Sequence, residues 1–191
     1  MPGRGPSLFM SVSPASALFD TLRLPSGGSL ILSAQPASRG STLQALAAYR
    51  AAGAGLLISL LPAHELSALG LQSLAAQCSQ ADLRWANCPV DDFAAPAAAF
   101  EAAWQEIAPA VHVLLDRGDS VALHCRAGLG RTGTVAARVL LERGLKVQAA
   151  VDLVRQARPG AIETQVQEAY LHSQGWPQWP YATTPGDAPR E

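Results

Sequence analysis

The chain reads as an α/β protein with a central, mostly parallel sheet of about four to five strands flanked by helices. Three observations in the sequence predict this. Short apolar runs alternate with longer stretches of helical periodicity from Phe19 to about residue 173, the pattern of parallel strands joined by helical crossovers. Gly and Pro cluster between these runs far more than within them. Finally, the apolar run Val121–Leu123 passes through a glycine-rich turn straight into an amphipathic helix, giving the order strand, turn, helix.

The elements follow in order. Residues 1–18 are rich in Pro, Gly and Ser and are expected to be loosely ordered. Phe19–Leu24 and Ser29–Ser33 read as short strands separated by the turn P-S-G-G, and a loop follows. Ser41 is an N-cap candidate for a helix ended by Gly53. Gly55–Leu61 reads as a buried parallel strand stopped by Pro62. Helical segments are expected around Glu65–Leu69 and Leu71–Ser79, broken by Gly70, and then a strand over Leu83–Val90, weakened near Pro89. Ala97–Leu115 predicts a long helix with Phe100, Trp104, Ile107, Val111 and Leu114 on one stripe and a kink at Pro109. After the Val121 strand, helices are expected over Thr132–Arg143, over Val147–Ala157, and from Glu163 onwards beyond the Pro159–Gly160 turn. The organisation is thus one domain over residues 19–174, followed by a Pro/Trp-rich tail over 175–191 without regular structure.

Composition sets outer limits. The chain has 191 residues, is 49% hydrophobic and only 15% charged, and has a net charge of −1, so a sizeable core is available. The near-neutral balance argues against a nucleic-acid or anionic-membrane surface. No apolar run is long enough to span a bilayer, and the N-terminus reads as a cytoplasmic leader, its apolar part being short and broken by Ser and Pro14. Cys78, Cys88 and Cys125 form no paired framework, and His64, His112, His124 and His172 lack zinc-site spacing. No metal, no cofactor and a monomer in the reducing cytoplasm are expected.

The stretch carrying chemistry is V-A-L-H-C-R-A-G-L-G-R-T-G-T, Val121 to Thr134. A strand, a glycine turn and a helix N-terminus gather backbone N–H groups and a positive helix end around one point, a place for a phosphate. Arg126, Ala127, Gly128, Leu129 and Gly130 would line that point with their backbone, Gly128 and Gly130 letting it curl, and Arg131 would grip two phosphate oxygens. Cys125 would lie below the phosphorus as a thiolate nucleophile, favoured by the surrounding positive potential. Thr132 would donate its hydroxyl to that thiolate and ease its departure. His124 is expected to brace the loop rather than act as a base. Phosphate-ester cleavage also needs a proton for the leaving oxygen. Asp91 and Asp92, in D-D-F-A-A-P, both qualify, though either could instead cap the next helix; Phe93 would anchor this loop or flank the pocket.

The sequence His124-Cys125-x5-Arg131-Thr132 resembles the signature loop of cysteine-dependent protein phosphatases. It is most similar to the dual-specificity group, in particular the cyclin-dependent-kinase-inhibitor-3-like (kinase-associated phosphatase) proteins. The resemblance covers about residues 29–173. In those phosphatases the acid stands four residues before a proline, a spacing that Asp92 and Pro96 reproduce; Asp91 is left with a capping role. The string P-G-A-I-E-T-Q-V-Q, Pro159 to Gln167, resembles their segment after the signature, which implies that Gln167 orients the hydrolytic water. Read without the resemblance, Gln167 is a surface helix residue. Arg158 would add positive charge near the loop.

The resemblance implies a two-step, metal-independent phosphomonoester hydrolase acting on phosphotyrosine and phosphoserine/threonine. An inositol phosphate or another small phosphate ester is the alternative substrate, since the loop carries Arg126 but Leu129. A sulfurtransferase needs neither the Asp92 nor the Gln167 segment. The low-molecular-weight phosphatases carry their cysteine loop near the N-terminus. A non-catalytic phosphoprotein-binding module has usually lost the Cys, the Arg or the acid, and all three are present here.

Overall fold

The computed structural model describes residues 18–25, 27–173 and 175–179; the expected loose segment before Leu18 and residues 180–191 of the tail lie outside the described residues. Two strands set the architecture. Ser29–Ser33 and Ser120–His124 are buried at almost every position, so both of their faces are covered by helices, as in parallel sheets. In chain order the elements are β1 (Phe19–Arg23), β2 (Ser29–Ser33), α1 (Thr42–Ala51), β3 (Ala54–Ser59), α2 (Ala63–Ala68), α3 (Leu74–Gln80), β4 (Arg84–Asn87), α4 (Ala98–Asp116), β5 (Ser120–His124), α5 (Gly130–Glu142), α6 (Val147–Ala157) and α7 (Gln165–His172).

The five strands lie in the order β1-β2-β5-β3-β4. All neighbours are parallel except β1, which pairs with β2 in antiparallel fashion at one edge. β5 is therefore central, and its carboxyl end opens where an α/β sheet binds its ligand. This is the expected class of fold.

Local sequence explains most element boundaries. Ser41 caps α1 with a full capping box, its side chain accepting the Gln44 N–H and the Gln44 side chain accepting the Ser41 N–H. Pro109 lies inside α4 without ending it. β3 starts one residue before the apolar run and ends two residues before its end, although Leu60 N–H still donates to His124 O. β4 stops at Asn87, before Cys88 and the donor-less Pro89.

α5 is buried along its whole length, including Arg131, Arg138 and Glu142. Burying charge is tolerable only with partners. Glu142 accepts from Trp104 Nε1 (2.8 Å) and Arg138 Nε (2.8 Å) and is bonded to His112 Nε2 (2.9 Å). Arg138 also reaches Glu101 at 2.6 Å and lies near the rings of Phe100, Trp104, Tyr170 and Trp176. The described part of the tail packs here. Trp179 stacks on His112 and donates its backbone N–H to Glu142 O at 2.7 Å. Among the described residues, no helix is long and apolar enough to cross a membrane.

Candidate active site

The loop from Cys125 to Arg131 joins β5 to α5 at the carboxyl edge of the sheet. Its form follows from where its carbonyls go. Cys125 O faces His124 Nδ1 at 3.2 Å, and Arg126 O accepts the Gln35 N–H at 3.1 Å. Arg158 donates to both Ala127 O and Gly128 O, Leu129 O accepts the Gly133 N–H (2.8 Å), and Gly130 O accepts the Thr134 hydroxyl (2.8 Å). Every carbonyl from Cys125 to Gly130 is thus held by the surrounding protein. A trans peptide points the next N–H the opposite way, so the amides of 126–131 face inward.

Two of those inward donors have visible acceptors. Gly128 N–H donates to Cys125 Sγ at 3.1 Å, and Gly130 N–H donates to Glu163 Oε2 at 2.7 Å. The N–H groups of Arg131 and Thr132, in the first turn of α5, have no intrahelical acceptor. Gly128 must be glycine twice over: its φ is +73°, and a Cβ there would lie 2.3 Å from Ser33 C, at the end of β2. Cys125 is nearly buried, with its sulfur at the floor of the turn.

His124 is fully buried and its pKa is pushed down to about 4, chiefly by burial, with Arg131 adding to the effect. Its hydrogen bonds give the same protonation state. Trp85 Nε1 can only donate, and it donates to Ser59 Oγ at 2.9 Å. The Ser59 hydroxyl is then free to donate to His124 Nε2, 2.6 Å away. Nδ1 faces a carbonyl and carries the proton. The ring is neutral and ties the end of β5 to β3. Cys78 and Cys88 are buried thiols pushed up to about 12 by desolvation.

Arg131 is nearly buried and held from below. Nη1 donates to Glu65 Oε1 (2.7 Å) and Val90 O (3.1 Å) and Nη2 to Glu65 Oε2 (3.2 Å), while Asp92 Oδ1 forms an ion pair 2.9 Å from Nη2. Burial works against its charge, but the Glu65 hydrogen bond and the neighbouring negative groups outweigh it and hold the guanidinium pKa above its ordinary value. Glu65, on α2, is a site residue that sequence reasoning missed.

Asp92, half-exposed, stands over the loop, while its neighbour Asp91 does not line the pocket. Neither aspartate caps α4: the N-cap is Ala97, with no side-chain bond. Phe93 is 62% exposed at the pocket mouth with φ +56°, a strained conformation for a bulky residue. Its carbonyl accepts the Thr164 hydroxyl at 3.1 Å, which ties the Asp92 loop to the start of α7.

Gln167 is fully buried rather than on the surface. It completes a capping box with Thr164, its Oε1 accepting the N–H groups of Glu163 (2.9 Å) and Thr164 (3.2 Å). Its Nε2 donates to Ala94 O at 3.2 Å, leaving a second amide hydrogen at the pocket wall. Thr132 Oγ1 is buried and has no hydrogen-bond partner among the described residues; the expected bond to Cys125 is not formed in this state. Arg158 lies behind the loop, bonded to its carbonyls and to Asp20, so it shapes the turn from outside. The resulting cavity is about 260 Å³, with Cys125 in its floor and Asp92, Phe93, Arg126, Arg131, Glu163 and Gln167 around it.

Comparison with known proteins gives a consistent likeness. A family model described as "Polymorphic toxin system, DSP-PTPase phosphatase" matches residues 34–145. The mouse protein tyrosine phosphatase type IVA 3 is 40% identical over 83 residues, 44% of this chain and 47% of that protein. The tyrosine-protein phosphatase CDC14 of Saccharomyces cerevisiae is 34% identical over 76 residues, 39% of this chain and 14% of that protein. The chain thus spans less than half the length of these curated relatives. A crystal structure of kinase associated phosphatase, with serine in place of its catalytic-site cysteine, superposes with a TM-score of 0.70 at 25% identity, covering 81% of this chain and 91% of that one. The active form of Tk-PTP gives 0.63 at 28% identity, over 80% and 94%.

Proposed function

This chain belongs to the DSP-PTPase phosphatase family, and from that premise we propose that it hydrolyses phosphoprotein monoesters, without a metal, through a cysteinyl-phosphate intermediate. The observation that carries the reading is the loop itself: every carbonyl from Cys125 to Gly130 is tied outward, so the amides converge above the Cys125 sulfur. An unligated tetrahedral oxyanion fits that geometry, and preorganised donors of this kind stabilise the charge of phosphoryl transfer.

In the first step Cys125 Sγ attacks phosphorus and the bond to the leaving oxygen breaks, its electron pair departing with that oxygen. The Asp92 carboxyl supplies the proton. Asp92 is paired with Arg131 in the resting site, so an arriving phosphate takes over Arg131 Nη2 and releases the carboxyl towards the leaving group. Glu65 keeps the fork of Arg131 in place throughout. In the second step water attacks phosphorus, Asp92 accepts its proton, and the S–P bond breaks to return the thiolate. The free hydrogen of the Gln167 amide orients that water. The unmatched Thr132 hydroxyl rotates to solvate the departing sulfur. His124 holds the strand end from which Cys125 projects. The phosphatase domain spans 19–174, with the Pro/Trp-rich tail over 175–191 outside it.

A rim made of Asp92 and Phe93, with no aromatic-bearing insertion deepening the cavity among the described residues, suits both aryl and alkyl phosphate esters, hence dual specificity. The test is hydrolysis of p-nitrophenyl phosphate and of phosphoserine and phosphotyrosine peptides at mildly acidic pH, with chelator present, by the parent and Asp92→Ala. The alanine variant should lose about 10²–10⁴-fold on the peptides and less on p-nitrophenyl phosphate, whose leaving group needs little protonation. Freshly reduced parent protein inactive on all three would overturn the proposal.

A further inference from the structure

Glu163 was not among the residues the sequence singled out for chemistry, yet it occupies a position that chemistry must notice. Its Oε2 accepts the N–H of Gly130, one of the loop amides that face the anion site, at 2.7 Å. The contact is close and built: a Cβ on Gly130 would lie 2.6 Å from that oxygen and 2.9 Å from Gln167 Nε2. The residue before it, Ile162, is β-branched and held at φ +61°. Glu163 also lines the cavity over Cys125.

The surrounding charges make this placement consequential. Arg131 is committed to Glu65 and shared with Asp92. Arg158 is spent on Asp20 and on the outward carbonyls of the loop. Among the described residues that line the cavity, Arg126 is the one cation without an ion-pair partner. Two carboxylates, Asp92 and Glu163, line the same cavity. A single phosphate is served by the amides and Arg131, but a second anionic group on the same substrate would meet Glu163 at short range with little positive charge to offset it.

Building on the phosphatase reading above, we infer that Glu163 is a specificity-determining residue that restricts the site to substrates with one phosphate, protein monoesters, and disfavours polyphosphorylated inositol lipids and similar bisphosphates. Electrostatic exclusion of this type acts as negative selection on the competitor rather than as extra affinity for the substrate.

The experiment compares kcat/KM for p-nitrophenyl phosphate and for a short-chain phosphatidylinositol bisphosphate in the parent, Glu163→Gln and Glu163→Asp. Glutamine keeps an oxygen for the Gly130 N–H and removes only the charge. The parent should favour the monophosphate. Glu163→Gln should narrow the ratio by about tenfold at low salt, with the difference shrinking as salt is added, whereas Glu163→Asp should keep the parent's preference. Inhibition by inorganic phosphate against pyrophosphate should shift in the same sense. A ratio unchanged in Glu163→Gln, with both substrates gaining or losing together, would overturn the inference and assign Glu163 to loop positioning. A parent that already prefers the bisphosphate would overturn it too. A parent inactive on both would instead strike the phosphatase reading itself.

Discussion

Arg131 is gripped from two separate segments: Glu65 on α2, and Val90 O with the Asp92 carboxylate in the loop after β4. A guanidinium held bidentate keeps its fork planar and aimed, which matters more for recognising a phosphate than charge alone. Glu65→Gln should therefore lower kcat/KM by about one to two orders of magnitude and cost about 1–3 kcal/mol of stability, because a buried cation loses its main counter-charge. Steady-state kinetics and urea unfolding would check this, and parent-like values in both would contradict the role given to Glu65. Cys125, Arg131 and Asp92 were legible because each belongs to a local string of definite spacing. Glu65 was not. It lies 66 positions from its partner in an unremarkable helical segment, and many carboxylates could have served. The one available hint was negative: a nearly buried arginine must find an acid somewhere.

At the scale of elements, the site is a junction between β5 and α5 fixed by hydrogen bonds that leave the loop no alternative. The neutral His124, tied to Ser59 on β3, is the lateral brace. Its pKa gives the brace a pH signature. An unfolded chain protonates this histidine below about pH 6.5, while the folded protein resists until about pH 4. The unfolded state thus binds more protons across that interval, and stability falls as pH drops from about 6.5 to 4, by up to roughly 3 kcal/mol. Denaturant melts at pH 7 and pH 4.5 would measure the loss, and His124→Asn should reduce it. An unchanged pH slope in that variant would contradict the assignment. The sequence located β5, the turn and α5 to within two residues, because apolar period and glycine content are local quantities. It left Gln167 open between a surface helix position and the site, since a polar residue on a short helix can be either. Only the packing of α7 against α5 reveals that Gln167 is buried while capping its own helix and lining the cavity.

For the whole molecule, the strand order β1-β2-β5-β3-β4 brings α2, the Asp92 loop, the Cys125 loop and the start of α7 to one edge of the sheet. Alternation of strands and helices announced a mostly parallel sheet. It did not announce that β5 would be central, because strand order depends on long-range pairing that no local pattern records. The tail illustrates the same limit. Its prolines argued against regular structure, and residues 175–179 indeed lack it, yet Trp176 and Trp179 pack on the buried network of Arg138, Glu142 and His112. A larger cavity, about 440 Å³, lies there and shares no lining residue with the cavity over Cys125. The proposed chemistry rests on the sulfur in the floor of the smaller cavity. The most direct measurement is mass spectrometry of acid-quenched protein mixed with excess aryl phosphate, in the parent, Cys125→Ser and Gln167→Ala. One phosphoryl group should appear on the peptide bearing Cys125 in the parent, accumulate in Gln167→Ala, where water attack is slowed, and be missing in Cys125→Ser. Turnover by the parent with no phosphoryl group ever captured on Cys125, or turnover retained in Cys125→Ser, would contradict the cysteinyl-phosphate route.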